Sequence, residues 1–179
     1  MADKFSPFFT YRVGHYNLNL ISAHRTDESK ADSLALELSD EATKKFADAY
    51  PDRFYNIGIA ECNMTGVAAG MAACGYKPFT NTFAIFASGR AWEQVRNSVA
   101  YPQLNVKIVG SHGGLSVGED GATHQGNEDF ALMRAVPNMK VVCPCDGHEM
   151  KLAVEALLNY DGPAYLRLGR AAVETVTDE

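Results

Sequence analysis

The residues best suited to chemistry lie in one glycine-rich stretch, 111–125, directly after a predicted buried strand. Its two histidines, His112 and His124, could move protons or donate hydrogen bonds near neutral pH. Glu119 and Asp120 add carboxylates, and four glycines lie among these groups. Ligands bind at the carboxyl ends of strands in open α/β sheets, and ordinary connections are shorter than this one. The stretch therefore favours a binding site over a surface loop whose glycines only make turns.

Metal binding is an alternative use of the same residues. The two histidines and Asp120 could supply nitrogen and oxygen ligands, and metal-dependent hydrolysis stays open on that basis. However, no motif with two histidines fixed on one helix face is present. A second group, Cys143, Cys145 and His148, is incomplete for a structural zinc site. We therefore predict no metal site built by this chain.

Glu61 is the second candidate, because it follows the apolar residues 57–60 and begins a predicted helix of small residues. An acid in the first turn of a helix is favourable near the positive end of the helix dipole. A partly desolvated carboxylate could instead hold or transfer a proton. The residue alone does not distinguish these two interpretations.

Two phosphate-binding patterns are nearly present but incomplete. Gly70 and Gly75 have the spacing of a P-loop, but Tyr76 precedes Lys77 where the pattern needs the lysine itself. No GxGxxG pattern follows a predicted strand. The sequence thus predicts no phosphate cradle in this chain.

Strands that alternate with helices must position these residues. Residues 1–32 are predicted to be an irregular extension, and residues 33–179 to form one domain. The predicted strands are 33–38, 53–57, 77–82, 106–110, 139–142 and 164–168. The predicted helices are 40–50, 61–75, 87–100, 127–135 and 147–160. This alternation predicts an α/β domain with a mostly parallel sheet and helices on both faces.

Composition limits the class of protein. The 179 residues are 46% hydrophobic and 21% charged, as in ordinary globular domains. The formal net charge of −6 disfavours a nucleic-acid binder. No apolar run is long enough to cross a bilayer, and the first ten residues lack the apolar region of a signal peptide. We therefore expect a cytoplasmic protein, with no membrane or nucleic-acid partner and with its four cysteines reduced.

Five segments together resemble the transketolase family. Residues 53–64, RFYNIGIAECNM, resemble the segment that carries the essential glutamate of these enzymes, and residues 82–90, TFAIFASGR, resemble the aromatic stretch that follows it. Residues 111–125 resemble the substrate loop, and 137–139 and 168–170 match later landmarks. The resemblance runs from about Phe46 to Arg170. It implies the pyrimidine-binding domain of a thiamine-diphosphate enzyme.

The resemblance also implies a divided active site. In this family one domain binds the cofactor's diphosphate through Mg²⁺ with a GDG motif, and another domain binds the aminopyrimidine. Residues 118–121 read GEDG and belong to the substrate loop instead. A diphosphate-binding transketolase subunit is therefore the expected partner and holder of Mg²⁺, in a dimer or heterotetramer. The expected reaction is transfer of a two-carbon ketol unit between sugar phosphates, in carbohydrate metabolism of the pentose phosphate type, with no turnover by this chain alone.

Roles for individual residues follow from the same resemblance. Glu61 would hydrogen-bond and share a proton with N1′ of the cofactor's pyrimidine. Phe83 and Phe86 match the aromatic residues that pack on that ring.

The substrate residues are those that match positions near the sugar phosphate. His124 would meet the donor's hydroxyl and carbonyl groups and, with His112, take part in catalysis. Asp120 would bind a sugar hydroxyl. His112 and Arg170 would reach the sugar phosphate, for which a guanidinium has suitable geometry.

Three other functions remain compatible with the sequence. Deoxyxylulose-phosphate synthases and 2-oxo acid dehydrogenases use related domains, although the 118–124 loop is more similar to that of transketolases. A non-catalytic regulatory or interaction module could also keep this fold.

Overall fold

One mixed sheet organises the domain. The computed structural model of the chain describes residues 19–23 and 46–177. The strands are β1 (Asn19–Ala23), β2 (Phe54–Asn56), β3 (Lys77–Phe83), β4 (Lys107–Ser111), β5 (Lys140–Val142) and β6 (Ala164–Arg167). Their order across the sheet is β2-β1-β3-β4-β6-β5. The strands β3, β4, β6 and β5 are parallel, whereas β1 pairs antiparallel with both β2 and β3.

Helices connect the parallel strands. The α-helices are α1 (Glu61–Ala73), α2 (Trp92–Gln94), α3 (Asp129–Arg134) and α4 (Gly147–Asn159). π-Helical turns at Phe86–Arg90 and Val95–Ala100 flank α2, and we call the whole stretch the 86–100 segment. Short 3₁₀ turns occupy Pro51–Arg53, Leu115–Val117 and Ala122–His124.

Successive side chains of the central strands point to opposite faces of the sheet, which gives the domain two cores. On one face, α4 covers apolar residues of β3, β4 and β6. On the other face, α1 and the 86–100 segment cover alternate residues of β4 and β6. The first core includes Met150, Val154, Leu157, Phe79, Val109 and Leu166. The second includes Met64, Ala68, Val95, Val99, Ile108 and Tyr165. The prediction of a mostly parallel α/β sheet with helices on both faces is confirmed.

One described part of the predicted irregular extension is a strand. Asn19–Ala23 forms β1 and hydrogen-bonds between β2 and β3. A strand paired on both sides satisfies its backbone through its neighbours and needs no strict apolar alternation of its own. The predicted strand 33–38 and the start of the predicted helix 40–50 lie outside the described residues, and residues 46–49 are helical. The domain division at residue 33 stays a prediction.

The predicted α-helix 87–100 has a different internal geometry. Backbone bonds from Ala91 to Phe86 (3.2 Å) and from Tyr101 to Arg96 (2.9 Å) span five residues rather than four. Such π turns are rare in proteins, and those that occur are often found at functional sites. Val95 and Val99 are still fully buried, as the apolar pattern predicts. The other described strands and helices lie within about two residues of their predicted bounds. No helix among the described residues has the length and apolar character needed to cross a membrane.

Candidate active site

An aromatic cluster of two phenylalanines and two histidines lies at the carboxyl ends of β3 and β4. The rings of Phe83 and His112 stack with centroids 4.2 Å apart and planes 7° apart. Phe83 and Phe86 are also nearly parallel, with centroids 6.1 Å apart. His124 presents its ring edge-on to Phe86 at 5.3 Å. Four residues that the sequence analysis selected from two separate segments are thus brought into one group.

Strand register explains why the two segments meet. Parallel pairing places Phe83 opposite Ser111, so both strands end at the same level of the sheet. The Ser111 hydroxyl donates to the Thr82 carbonyl at 3.2 Å and joins the two strand ends. The chain then turns sharply at His112, whose φ of 55° is unusual for a residue other than glycine. Strained backbone of this kind persists where surrounding contacts enforce it, and it clusters at functional sites.

The loop from 112 to 126 is closed at its base. Gly113 and Gly126 form a β-bridge, and Gly113 N donates to Leu168 O at 2.9 Å. Gly114 N donates to Gly126 O at 2.9 Å, so both ends of the loop are joined. His112 and His124 therefore come from the two ends of one closed loop, which holds them beside the same aromatic rings.

His112 is buried, at 4% exposure. Burial, together with the nearby positive charge of Arg170, lowers the pKa of His112 to about 4, against a smaller opposing effect of Asp120. The imidazole is therefore neutral at physiological pH. It can donate one hydrogen bond and accept another, but it brings no positive charge to an anionic ligand.

Arg170 contacts the 112–126 loop at two residues. Its Nη1 donates to Val117 O at 2.9 Å, and its Nη2 lies 3.9 Å from Glu119 Oε1. Gly118 adopts φ +85°, and a Cβ at that position would overlap Nη1 of Arg170. Asp120, in the same loop, is exposed. Arg170 and Asp120 both lie close enough to His112 to affect its charge, so the predicted substrate residues share one region.

Glu61 begins α1, and its side chain is only 2% exposed. Its place in the first turn puts an acidic residue near the positive end of the helix dipole, and no side chain caps this helix end. Nη1 of Arg90 donates to both carboxylate oxygens, at 2.9 Å to Oε1 and 2.8 Å to Oε2. The Arg90 Cζ lies 4.4 Å from the centroid of the Phe86 ring. Arg90 thus connects the buried carboxylate to the aromatic cluster.

The sequence alone assigns no role to Arg90, the last residue of the aromatic segment 82–90. Its position four residues after Phe86 is a signal, because residues four apart lie on the same side of a helical turn. The pairing with Glu61 could not be read from spacing, since 29 residues separate the two.

A buried polar network beneath the loop was also missed. The hydroxyl of Tyr165 donates to Asp129 Oδ2 at 2.8 Å, and Nε of Arg167 lies 3.4 Å from the same oxygen. Asp129 is 1% exposed, and its other oxygen has no hydrogen-bond partner. Gly113 leaves the space that Arg167 occupies, because a Cβ there would overlap Nε. The network therefore packs directly against the base of the loop.

These groups bring together a buried carboxylate, two phenylalanine rings, two imidazoles and the guanidiniums of Arg90 and Arg170. The described residues include no group of three His, Cys, Asp or Glu side chains that could hold a metal ion. All four cysteines are free thiols and exposed. The site suits a flat heterocycle with a nitrogen able to share a proton with a carboxylate.

A protein-family model matches most of the chain. Residues 29–175 match the model of the transketolase pyrimidine-binding domain. The chain belongs to this transketolase domain family. Thiamine diphosphate dependence is implied by that membership.

Relatives of this transketolase-family chain include split enzymes. It is 52% identical over 134 residues to a putative transketolase C-terminal section of Methanocaldococcus jannaschii, which covers 75% of this chain and 42% of that protein. It is 44% identical over 138 residues to the 6-deoxy-6-sulfo-D-fructose transketolase subunit SqwH of a Clostridium species, covering 77% of this chain and 43% of that protein.

A solved structure is similar as well. A split-gene transketolase, described as an inactive β4 tetramer, superposes with a TM-score of 0.70 at 49% identity and covers 79% of this chain and 46% of that chain. The chain thus spans less than half the length of these relatives.

Proposed function

We propose that this chain is the pyrimidine-binding half of a split thiamine-diphosphate-dependent transketolase, and that it completes its active site with a diphosphate-binding partner chain. The observation that carries the proposal is Glu61, a carboxylate at the start of α1 that is 2% exposed and connected through Arg90 to Phe86. A buried carboxylate is costly unless it is paired, and the partner here is the half-exposed Arg90. Here the neighbouring groups are those that an aminopyrimidine needs.

The fit to the cofactor is chemical. Glu61 would accept a hydrogen bond from, and share a proton with, N1′ of the pyrimidine, because its two oxygens are the buried acceptors at this position. The half-buried rings of Phe83 and Phe86 would pack on the flat heterocycle. When bound, thiamine diphosphate supplies the electron sink for carbon–carbon bond cleavage.

The remaining groups would act on the sugar. His124, with its Nδ1 2.9 Å from the Thr123 hydroxyl, would contact the donor's oxygen atoms beside the ring of Phe86. His112 is neutral, so it would orient a sugar or phosphate oxygen by one hydrogen bond. Arg170 would supply the positive charge for a phosphate, and Asp120 would accept from a sugar hydroxyl.

The partner chain would hold the diphosphate and Mg²⁺. This division rests on the sequence, which lacks a P-loop and a GxGxxG pattern, and on relatives named as a subunit and as a C-terminal section. The split-gene structure that superposes on this chain is described as inactive in its β4 form. We infer that this chain likewise needs a partner chain for activity.

The substrates would be a ketose donor and an aldose acceptor, with phosphate or another acidic group at the far end. One relative is named for a sulfo sugar, so the acidic group is the variable part. Arg170 and the 115–120 loop that it supports would contact this end of the substrate.

The test is reconstitution. The chain is mixed with a co-purifying polypeptide that contains the GDG motif, and ketol transfer is followed with xylulose 5-phosphate and ribose 5-phosphate, in parallel with pyruvate as donor. Turnover of the sugar pair by the mixture, and none by either chain alone, is the expected result. If only pyruvate is turned over, the proposed reaction is wrong and the chain belongs to a deoxyxylulose-phosphate synthase or 2-oxo acid dehydrogenase. Cofactor binding without turnover of any substrate would indicate a non-catalytic module.

A further inference from the structure

Arg90 makes two contacts of the kind that the proposed function assigns to the cofactor. Its Nη1 lies 2.9 and 2.8 Å from the two oxygens of Glu61. Its Cζ lies 4.4 Å from the centroid of Phe86. A guanidinium is flat, carries N–H donors in its plane and stacks on aromatic faces. An aminopyrimidine ring shares these properties.

We propose that the Arg90 guanidinium occupies the aminopyrimidine position when the cofactor is absent, and that it leaves Glu61 and Phe86 when the cofactor binds. This inference rests on the proposed function and adds to it a self-occupied state of the cofactor site. The chain thereby keeps a buried carboxylate paired in the absence of cofactor, when that carboxylate would otherwise be buried and alone.

The two partners of the ion pair differ in their freedom to move. Glu61 is 2% exposed and is fixed at the first turn of α1, whereas the Arg90 side chain is 48% exposed. Gly89, beside Arg90, is exposed, and a Cβ there would meet only one atom, Ile85 Cδ1, within 4 Å. An arginine whose side chain is already half exposed can swing its guanidinium outward into water. The carboxylate would stay in place for the incoming ring.

Removal of the Arg90 guanidinium distinguishes competition with the aminopyrimidine ring from a role in orienting Glu61. If Arg90 competes with the ring, its loss strengthens aminopyrimidine binding, because no contact must be broken first. A charge-assisted hydrogen bond corresponds to roughly a 10-fold factor in binding. If Arg90 instead stays on Glu61 and orients it, its loss weakens binding by a similar factor.

The experiment measures the dissociation constant of the free aminopyrimidine half of thiamine for the full chain, by NMR titration. The variant Arg90→Met removes the N–H donors and keeps an unbranched stem. Arg96→Met is the matched control, because Arg96 lies in the same 86–100 segment and bonds to the exposed Asn97. Arg90→Lys, which keeps the charge, serves as a second variant should Arg90→Met not fold. Guanidinium chloride at low millimolar concentration is then added as a competitor.

The expected result is binding about 10-fold tighter in Arg90→Met and intermediate in Arg90→Lys, with Arg96→Met like the wild type. Added guanidinium should displace the aminopyrimidine from Arg90→Met. Glu61→Gln is titrated as well, and loss of binding in that variant shows that the ring binds at Glu61. If Glu61→Gln does not bind but Arg90→Met binds equally to or more weakly than the wild type, this inference alone is overturned. Absence of binding in the wild type and in every variant would also overturn this inference for the chain by itself, and the reconstitution assay with the partner chain would then decide on the proposed function separately.

Discussion

The neutral state of buried His112 predicts how the free energy of unfolding changes with pH. Burial beside Phe83 and the nearby Arg170 lower its pKa to about 4, from the usual value near 6.5. Between these two values the unfolded chain binds a proton that the folded chain excludes. Stability must therefore rise with pH across this window, and this contribution is lost as pH falls from 6.5 towards 4.

The magnitude is large enough to measure. One pKa unit corresponds to about 1.4 kcal/mol, so the full window is worth about 3 kcal/mol at most. Between pH 7 and pH 5 the loss through this one group is about 2 kcal/mol. The Asp146 carboxyl also has a shifted pKa, held low mainly by the backbone N–H of Glu149. Its contribution is lost only in more acidic solution, so measurements at or above pH 5 avoid it.

The assay is urea unfolding of the wild type and of His112→Asn at several pH values from 5 to 7.5. Asparagine accepts the positive φ of this position better than most residues, and its amide does not titrate in this range. The stability difference between the two proteins should change by about 2 kcal/mol over the range, because only the wild type excludes a proton here. His148→Asn, which removes an imidazole from α4 outside the aromatic cluster, controls for loss of a histidine as such. A constant difference between wild type and His112→Asn would refute the reasoning.

The remaining predictions concern the base of the loop. Gly113→Ala would place a Cβ over Nε and 2.8 Å from Cζ of Arg167, so we expect a loss of about 1–3 kcal/mol in urea unfolding. Its control, Gly66→Ala in α1, meets no atom within 4 Å and should gain about 0.5–1 kcal/mol; equal effects of the two changes would contradict the packing argument. Tyr165→Phe removes the hydroxyl that donates to Asp129 and should cost about 1–3 kcal/mol, measured in the same way. An unchanged unfolding midpoint in that variant would show that the buried carboxylate does not depend on the tyrosine.

Much of the fold could be predicted because its central strands carry strong local signals. The apolar residues of β4 and the apolar periodicity of α4 are consequences of burial on both faces of the sheet. The strand β1 gave no such signal, because its pairing with β2 and β3 depends on backbone bonds with residues more than 30 positions away. The π turns of the 86–100 segment could not be predicted from the sequence either. A hydrogen bond between residues five apart leaves the sequence spacing of Val95 and Val99 unchanged.

The candidate site divides in a similar way. His112 and His124 were selected from their loop and Phe83 and Phe86 from the family resemblance, and the structure brings the four together. Arg90 was missed because its meaning lies in a contact with Glu61 across 29 residues.

The network of Asp129, Tyr165 and Arg167 was missed for the same reason. Each of its members looks like an ordinary helix or strand residue until the fold places them together. Gly113→Ala and Tyr165→Phe test the packing and the hydrogen bond of this network at the base of the loop.

The most direct measurement of the central claim is the turnover number of Glu61→Gln in the reconstituted two-chain complex, with its unfolding transition recorded beside it. The amide keeps the size of the side chain but cannot share a proton with N1′ of the pyrimidine. We expect the turnover number to fall by at least about 100-fold, the scale of a lost general acid–base contribution, while the variant remains folded. A folded Glu61→Gln complex that turns over at the wild-type rate would contradict the account.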